Sequence, residues 1–432
     1  MIKRIFTIIA LLWMSQTAFS QENTGELKKL INQSFSYFPQ FKELDQSLKV
    51  AENQIELAKS AGLPNIGANG SYRYTDPVSE INIGSGDQAL HFQIMPNSSY
   101  NTMLNASYTL WDFGIVKADV ARAKAGLQYA KTNIAYNQNQ MAFQVASLYY
   151  QIAYLNKAIA IQDSVINFLA ANKKDTEIKL RNGDAIKYDV LSIQSSIDLE
   201  NNRKIDLQNS LDKQYALMEY TSGVKVSTSP ADFSFPLVNQ ASLENALESA
   251  KNNNPEFLLL KDRIGMAEAE LQQSKTGGRP SLSLLAGTGF ANGYTPDIDK
   301  ARYTYNAGVT LNIPIYQGGR AKKQVHLTQS QLQQTKLGQE SLNNTYKKDI
   351  EQTFIDMKSN ASSLLNANAQ IKEAKEAQKL AQSRYKNGIG TNLELTNAST
   401  NVQRALLRNL QYEYQLCIAE LTLAKLSGVK YW

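Results

Sequence analysis

One cysteine in 432 residues excludes an internal disulfide framework. That residue, Cys417, lies in a helical pattern between Leu416 and Ile418, where a small packing side chain is the expected role. Only two histidines are present, His91 and His326, and neither belongs to a metal-ligand or triad spacing. No cluster of catalytic groups marks an enzyme, and no cofactor or metal is expected. Gly277-Gly278 and Gly318-Gly319 lack the Lys-Ser or Lys-Thr that completes a phosphate loop, so bending at strand entry and exit accounts for them better. Charge is nearly balanced, with 45 basic against 39 acidic residues and no dense basic run, which argues against nucleic acid as a partner. Beyond the first twenty residues there is no apolar run of about 18 or more, the length an ordinary membrane helix needs. Any membrane crossing further along must therefore use strands closed into a barrel.

Residues 1–20 read as a secretory signal. Lys3 and Arg4 form its charged start, Ile5 to Trp13 its apolar run, and Ala18-Phe19-Ser20 a small-x-small cleavage site before Gln21. The apolar run is too short to anchor in a bilayer, and no cysteine stands at the cleavage point to carry a lipid.

The remainder is an internal duplication. Asn182-Gly183 recurs as Asn387-Gly388, and Ser222-Gly223-Val224 as Ser427-Gly428-Val429, both at an offset of 205. Pro39, Phe41, Leu44, Gly62 and Pro64 recur as Pro255, Phe257, Leu260, Gly278 and Pro280 at an offset of 216. The first half is thus 11 residues longer between Pro64 and Gly114, and a variable surface loop over Asp76 to Tyr100 is the expected place. The reading gives a first repeat over 21–224, a linker over 225–240 with Pro230 and Pro236, and a second repeat over 241–432.

Each repeat runs helix, strand, strand, long helix, helix. The long helices are expected over 115–181 and 320–386, each about 100 Å at 1.5 Å per residue. Met141, Val145, Leu148, Ile152, Leu155, Ile159, Ile166 and Leu169 step mostly by three and four, a heptad seam for helices packed side by side. Leu395, Ala398, Val402, Ala405, Asn409, Tyr412, Leu416, Ala419 and Leu423 repeat it.

Strands are expected over 64–76, 101–113, 280–291 and 302–316, where the period falls to two. Ile66, Ala68, Gly70, Tyr72 and Tyr74 alternate with small polar residues, as do Tyr303, Tyr305, Ala307, Val309 and Leu311. Soluble hairpins packed on helices show the same alternation. Strand length near the roughly 9 to 11 residues that cross a bilayer, and tyrosines near strand ends, favour a barrel. Four strands cannot close one, since membrane barrels have about 8 or more. Two, three or four copies give 8, 12 or 16 strands, and arithmetic alone does not choose.

The duplicated order, the long helices and the glycine-containing breaks resemble the TolC-like outer membrane efflux protein family across the whole chain after residue 20. The resemblance implies a mixed α and β membrane protein of two tandem repeats. It implies a homotrimer whose 12-stranded β-barrel continues into a periplasmic α-helical coiled-coil tunnel. The implied partners are outer-membrane lipid, a periplasmic adaptor protein and an inner-membrane transporter, proton-driven or ATP-driven. Adaptor contact falls on the turns at Asn182, Gly183, Asn387 and Gly388, and a tunnel-mouth acidic ring on Asp189 and Glu394. Gly390 and Asn397 depart from the family pattern, which can hold an arginine and a second acid there. Efflux of small molecules is the leading function, with type I protein secretion as alternative. From another class, an exported structural coiled-coil protein explains the heptads but not the strand pairs midway along each half.

Overall fold

The computed structural model describes residues 25–84, 90–225, 233, 235 and 242–432. The predicted signal lies outside them, as does residues 225–240 apart from Lys225, Phe233 and Phe235. The first half contains α1 (25–37), α2 (Pro39–Ser60), β1 (Asn65–Tyr74), β2 (Glu80–Ile83), β3 (Leu90–Gln93), β4 (Ser98–Trp111), α3 (Ile115–Asn182) and α4 (Lys187–Ser222). The second contains α5 (Leu243–Asn253), α6 (Pro255–Ser274), β5 (Ser281–Ala291), β6 (Arg302–Asn312), α7 (Arg320–Lys386) and α8 (Asn392–Ser427).

Two differences from the sequence reading have a proline at their root. The single helix expected before the strands of each repeat is divided at Pro39 and at Pro255, because proline brings no N–H and its ring collides with the carbonyl four residues back. Each proline instead opens the following helix, where its missing donor costs nothing. Asn254, fully buried before Pro255, uses the break: its amide donates to the carbonyls of Lys425 and Leu426, both 2.9 Å away, and so serves the orphan acceptors at the end of α8. Strand β6 ends at Asn312 rather than 316, just before Ile313-Pro314.

The chain divides into two compact units, with α2, α3, α6 and α7 each contributing to both. One comprises the described residues up to Gln46 with Lys131–Lys261 and Gln339–Trp432. Its core is the heptad seam of α3: Met141, Val145, Leu148, Ile152 and Leu155 are buried against Leu27, Leu30 and Ile31 of α1 and Cys417 and Leu421 of α8. Tyr149 is 1% exposed and its hydroxyl donates to Glu26 at 3.0 Å. Burial pushes the Cys417 thiol well above the usual thiol range, with Glu420 adding to the shift, which makes it a packing group and not a nucleophile. The terminal Tyr431 and Trp432 close this core edge-on against Phe235 and Phe35.

The other unit, Ser47–Ala130 and Asp262–Gly338, holds an antiparallel sheet in the order β1-β4-β5-β6. Register assigns its faces. Ile66, Ala68 and Tyr72 align with Ala106, Leu104 and Tyr100, and further across with Ala286, Leu284, Phe290, Ala307, Val309 and Tyr303. The opposite face carries Asn69, Asn105, Asn306, Ser107, Thr109 and Thr310; the Asn105 amide donates to Asn69. Arg73 and Arg302 are the only charged residues in these four strands. A bulge between Thr109 and Trp111 places Trp111 opposite Leu282, on the apolar face. Beyond β1 the expected surface loop contains a second small sheet, β2 with β3, whose register sets Ile81 against Phe92.

Every helix-to-strand joint lies at one end of the sheet. A Cβ on Gly62 would lie 3.7 Å from Val116, Gln273 donates to Asp119 at 2.8 Å, and the Ser274 and Thr328 hydroxyls are 2.9 Å apart. Neighbouring joints thus follow the strand order.

Candidate functional site

The candidate site is the pair of turns at which the long helices reverse. α3 ends at Asn182, and Gly183 takes φ +85°, a left-handed conformation that costs an L-residue 1 kcal/mol or more by rough reckoning. The closing bonds are Gly183 N–H to Leu180 O, 3.2 Å, and Asp184 N–H to Lys179 O, 2.8 Å. α7 ends in the same way, with Gly388 at φ +73° and Ile389 N–H donating to Arg384 O at 2.9 Å. Asn182, Gly183, Asn387 and Gly388 are all exposed, and exposed apolar groups follow each turn into the next helix: Ile186 and Tyr188 after one, Ile389 and Leu393 after the other.

The two expected carboxylates occupy equivalent helix positions with different partners. Asp189, in the first turn of α4, accepts from the Ile186 N–H at 3.3 Å. Glu394, in the first turn of α8, has its own N–H bonded to the Thr391 hydroxyl at 3.1 Å. Acids here also favour the positive end of the helix dipole, which gives both a structural role. Glu394 differs by facing Arg384, whose Nε lies 3.6 Å from its Oε2. The residue equivalent to Arg384 in the first repeat is Lys179, 205 positions earlier. Lys179 does not turn to Asp189: its Nζ donates to the Tyr385 carbonyl at 2.5 Å and sits 4.0 Å above the Tyr385 ring. Asp189 makes no ion pair among the described residues.

Tyr385 is the residue that the sequence reading missed. It is buried, its hydroxyl pairs with Thr176 at 2.7 Å, and Asn172 donates to Asn392 at 3.0 Å one turn further along. The last turns of α3 therefore clasp the α7–α8 turn. The available signal was the polar run Asn172, Thr176, Lys179 on one side of a helix otherwise packed by apolar groups. Gly390 is explained by the same cluster: a Cβ there would meet the Arg384 Cβ at 3.0 Å and Glu394 Oε2 at 3.1 Å, so the ion pair fills the space a side chain would need. Asn397 is exposed on α8.

A two-repeat chain whose strand pairs stand between long helices that reverse at matched glycine turns defines the fold class. Comparison supplies the family: the Outer membrane efflux protein model matches residues 30–221 and again 246–429, one match per repeat, and the chain belongs to that family. The alkaline protease secretion protein AprF of Pseudomonas aeruginosa is 23% identical over 250 residues, 55% of this chain and 51% of that protein. The outer membrane efflux protein BepC of Brucella suis is 23% identical over 192 residues, 42% and 40% of the two chains. The chain thus spans about half the length of the curated relatives it matches. The crystal structure of the outer membrane protein VceC from Vibrio cholerae shares the fold, with a TM-score of 0.77 over 94% of this chain and 97% of that one at 15% identity. Family and fold place the chain in the outer membrane, extending into the periplasm.

Proposed function

We propose that the chain is the outer-membrane channel subunit of a tripartite efflux pump, working as a homotrimer that exports small molecules and lacking enzymatic chemistry of its own. The observation that carries this is the open sheet. β1 and β6 are its unpaired edges, and in a bilayer each unpaired backbone group costs several kcal/mol by rough estimate. The strands alternate in direction, so β1 of one copy and β6 of the next run antiparallel and can pair. Three copies give the 12 strands implied by the family resemblance. Exposed apolar groups on α4 and α7, Leu199, Ile205, Ile355 and Leu365 among them, supply surface for neighbouring copies.

The adaptor role rests on the turns. Their glycines, with Tyr188 and Leu393 at equivalent positions beside them, form a pair of exposed apolar tips suited to a periplasmic adaptor that links the channel to an inner-membrane transporter. Threefold symmetry gathers three copies of Asp189 and of the Arg384–Glu394 pair near one axis, which makes a cation-favouring mouth. A type I secretion channel is the second reading, since AprF is named for protease secretion.

The test is conductance of the purified protein in a planar lipid bilayer. Discrete, uniform openings are expected; a protein that stays in solution as a rod and never inserts overturns the reading in favour of a structural coiled coil.

A further inference from the structure

The rim where strands meet helices carries charge that the fold does not use. Residues 112–124, 275–279 and 317–326 hold eight basic side chains against two carboxylates. Both carboxylates are engaged: Asp112 accepts from the N–H groups of Gly114 and Val116 at 2.9 and 2.5 Å, and Asp119 accepts from Gln273. On the adjoining helices Glu56 is paired with Lys59 and Glu268 with Lys336, leaving Glu52 and Glu270. The exposed cations Lys117, Lys124, Lys275, Arg320, Lys322 and Lys323 make no ion pair among the described residues.

Their placement is unfavourable for the protein alone. The first turns of α3 and α7 contain no acidic residue, and α7 opens on Arg320, Lys322 and Lys323, where the helix dipole disfavours positive charge. Directly on the strand side stands an exposed apolar and aromatic belt: Trp111 at 62%, Ile315 at 95% and Tyr316 at 86% exposure, with Phe113 against Trp111 at 6.1 Å between ring centroids. Aromatic rings belong at the headgroup level of a bilayer, so the cations one step beyond them stand among phosphates. An anion there offsets the helix-dipole cost and the mutual repulsion together.

We propose that this rim binds the headgroup phosphates of anionic phospholipid in the leaflet that faces the periplasm, with Arg320, Lys322 and Lys323 as the principal contacts. The proposal rests on the reading of the sheet as a membrane barrel. It gives the channel a lipid preference as well as a membrane, and it fixes the depth at which the barrel sits.

Trp111 is a built-in reporter, because the other two tryptophans are Trp13 in the predicted signal and Trp432 in the helical core. The full chain with Trp432→Phe is reconstituted in phosphatidylcholine vesicles containing either brominated phosphatidylcholine or brominated phosphatidylglycerol at equal fraction. Quenching of Trp111 is expected to show phosphatidylglycerol preferred by at least about five-fold, the factor for a single engaged cation near a membrane surface. The preference should fall towards unity in Arg320→Gln/Lys322→Gln/Lys323→Gln, and in the unmutated rim when salt is raised to shorten the screening length. Equal quenching by both lipids with the rim intact overturns the lipid site while leaving the barrel standing. No quenching by either lipid overturns the membrane seat itself, and the site with it.

Discussion

Gly289→Ala is expected to abolish most of the assembled channel in the outer membrane, although it adds a single methyl group. Gly289 lies in β5 opposite Met103 of β4. A Cβ at this position would be driven into the carbonyl oxygen of Thr102 and would lie 2.8 Å from the Met103 Cα, so the obstacle is backbone and not the end of a flexible side chain. Overpacking a core usually costs about 1 to 3 kcal/mol, and side chains normally absorb part of it. Here strands about 4.8 Å apart would have to separate, breaking ladder bonds that nothing in a bilayer replaces. Gly308→Ala is the control: it is also a strand glycine, in β6, and an added Cβ meets nothing within 4 Å. Heat-modifiable migration of membrane extracts on gels should show normal assembly for Gly308→Ala and little for Gly289→Ala. Equal assembly of both would mean that the β4–β5 approach is not as close as described.

The second large effect concerns the tunnel mouth. Asp189→Asn is expected to lower the cation-over-anion permeability ratio by about five-fold, the equivalent of about 1 kcal/mol for a unit charge some 4 Å from the ion path in water. Removing the Arg384–Glu394 pair together, as Arg384→Gln/Glu394→Gln, should leave the ratio nearly unchanged. The reason is that the pair is neutral as a unit, whereas Asp189 has lost its equivalent cation to Tyr385. The pair itself is half exposed and contributes little stability, on the order of 0 to 1 kcal/mol. Its importance lies in the sum of its charges. Reversal potentials in a salt gradient decide the matter: equal losses in the two variants would show that Glu394 acts as an independent charge, and no loss with Asp189→Asn would remove the acidic mouth.

The asymmetry between the turns shows where sequence reading stops. The 205-residue offset aligns Asp189 with Glu394 and Gly183 with Gly388, and local chemistry explains each: a positive φ needs glycine, and a helix start welcomes an acid. The offset also aligns Lys179 with Arg384, yet one cation goes to Tyr385 and the other to Glu394. That choice depends on which helices lie side by side, and no periodicity encodes it. The strands show the same limit. Alternation identified the apolar face from Ile66 to Tyr74 and from Tyr303 to Leu311, because a period of two is a property of the chain alone. The bulge near Trp111 reverses the alternation at the end of β4, and it becomes visible only when β4 is set in register with β5. β2 and β3 were hidden for a third reason: strands of four residues are too short to establish a period. The terminal Tyr431-Trp432 carried no pattern, and their part in the core depends on Phe35 and Phe235 far along the chain.

Cross-linking β1 to β6 tests the central claim, that the sheet is closed by other copies of the chain. Within one chain these strands are separated by β4 and β5, three spacings or about 14 Å, while a disulfide needs Cα atoms roughly 4.4 to 6.8 Å apart. Polar-face positions on β1 (Gly67→Cys, Asn69→Cys or Ser71→Cys) are combined with positions on β6 (Thr304→Cys, Asn306→Cys or Gly308→Cys) in a Cys417→Ser background and oxidised in the membrane. At least one register should give covalent trimers, with dimers as partial products. Disulfides formed only within single chains, or no linkage in any of the nine combinations, would contradict closure by neighbouring copies.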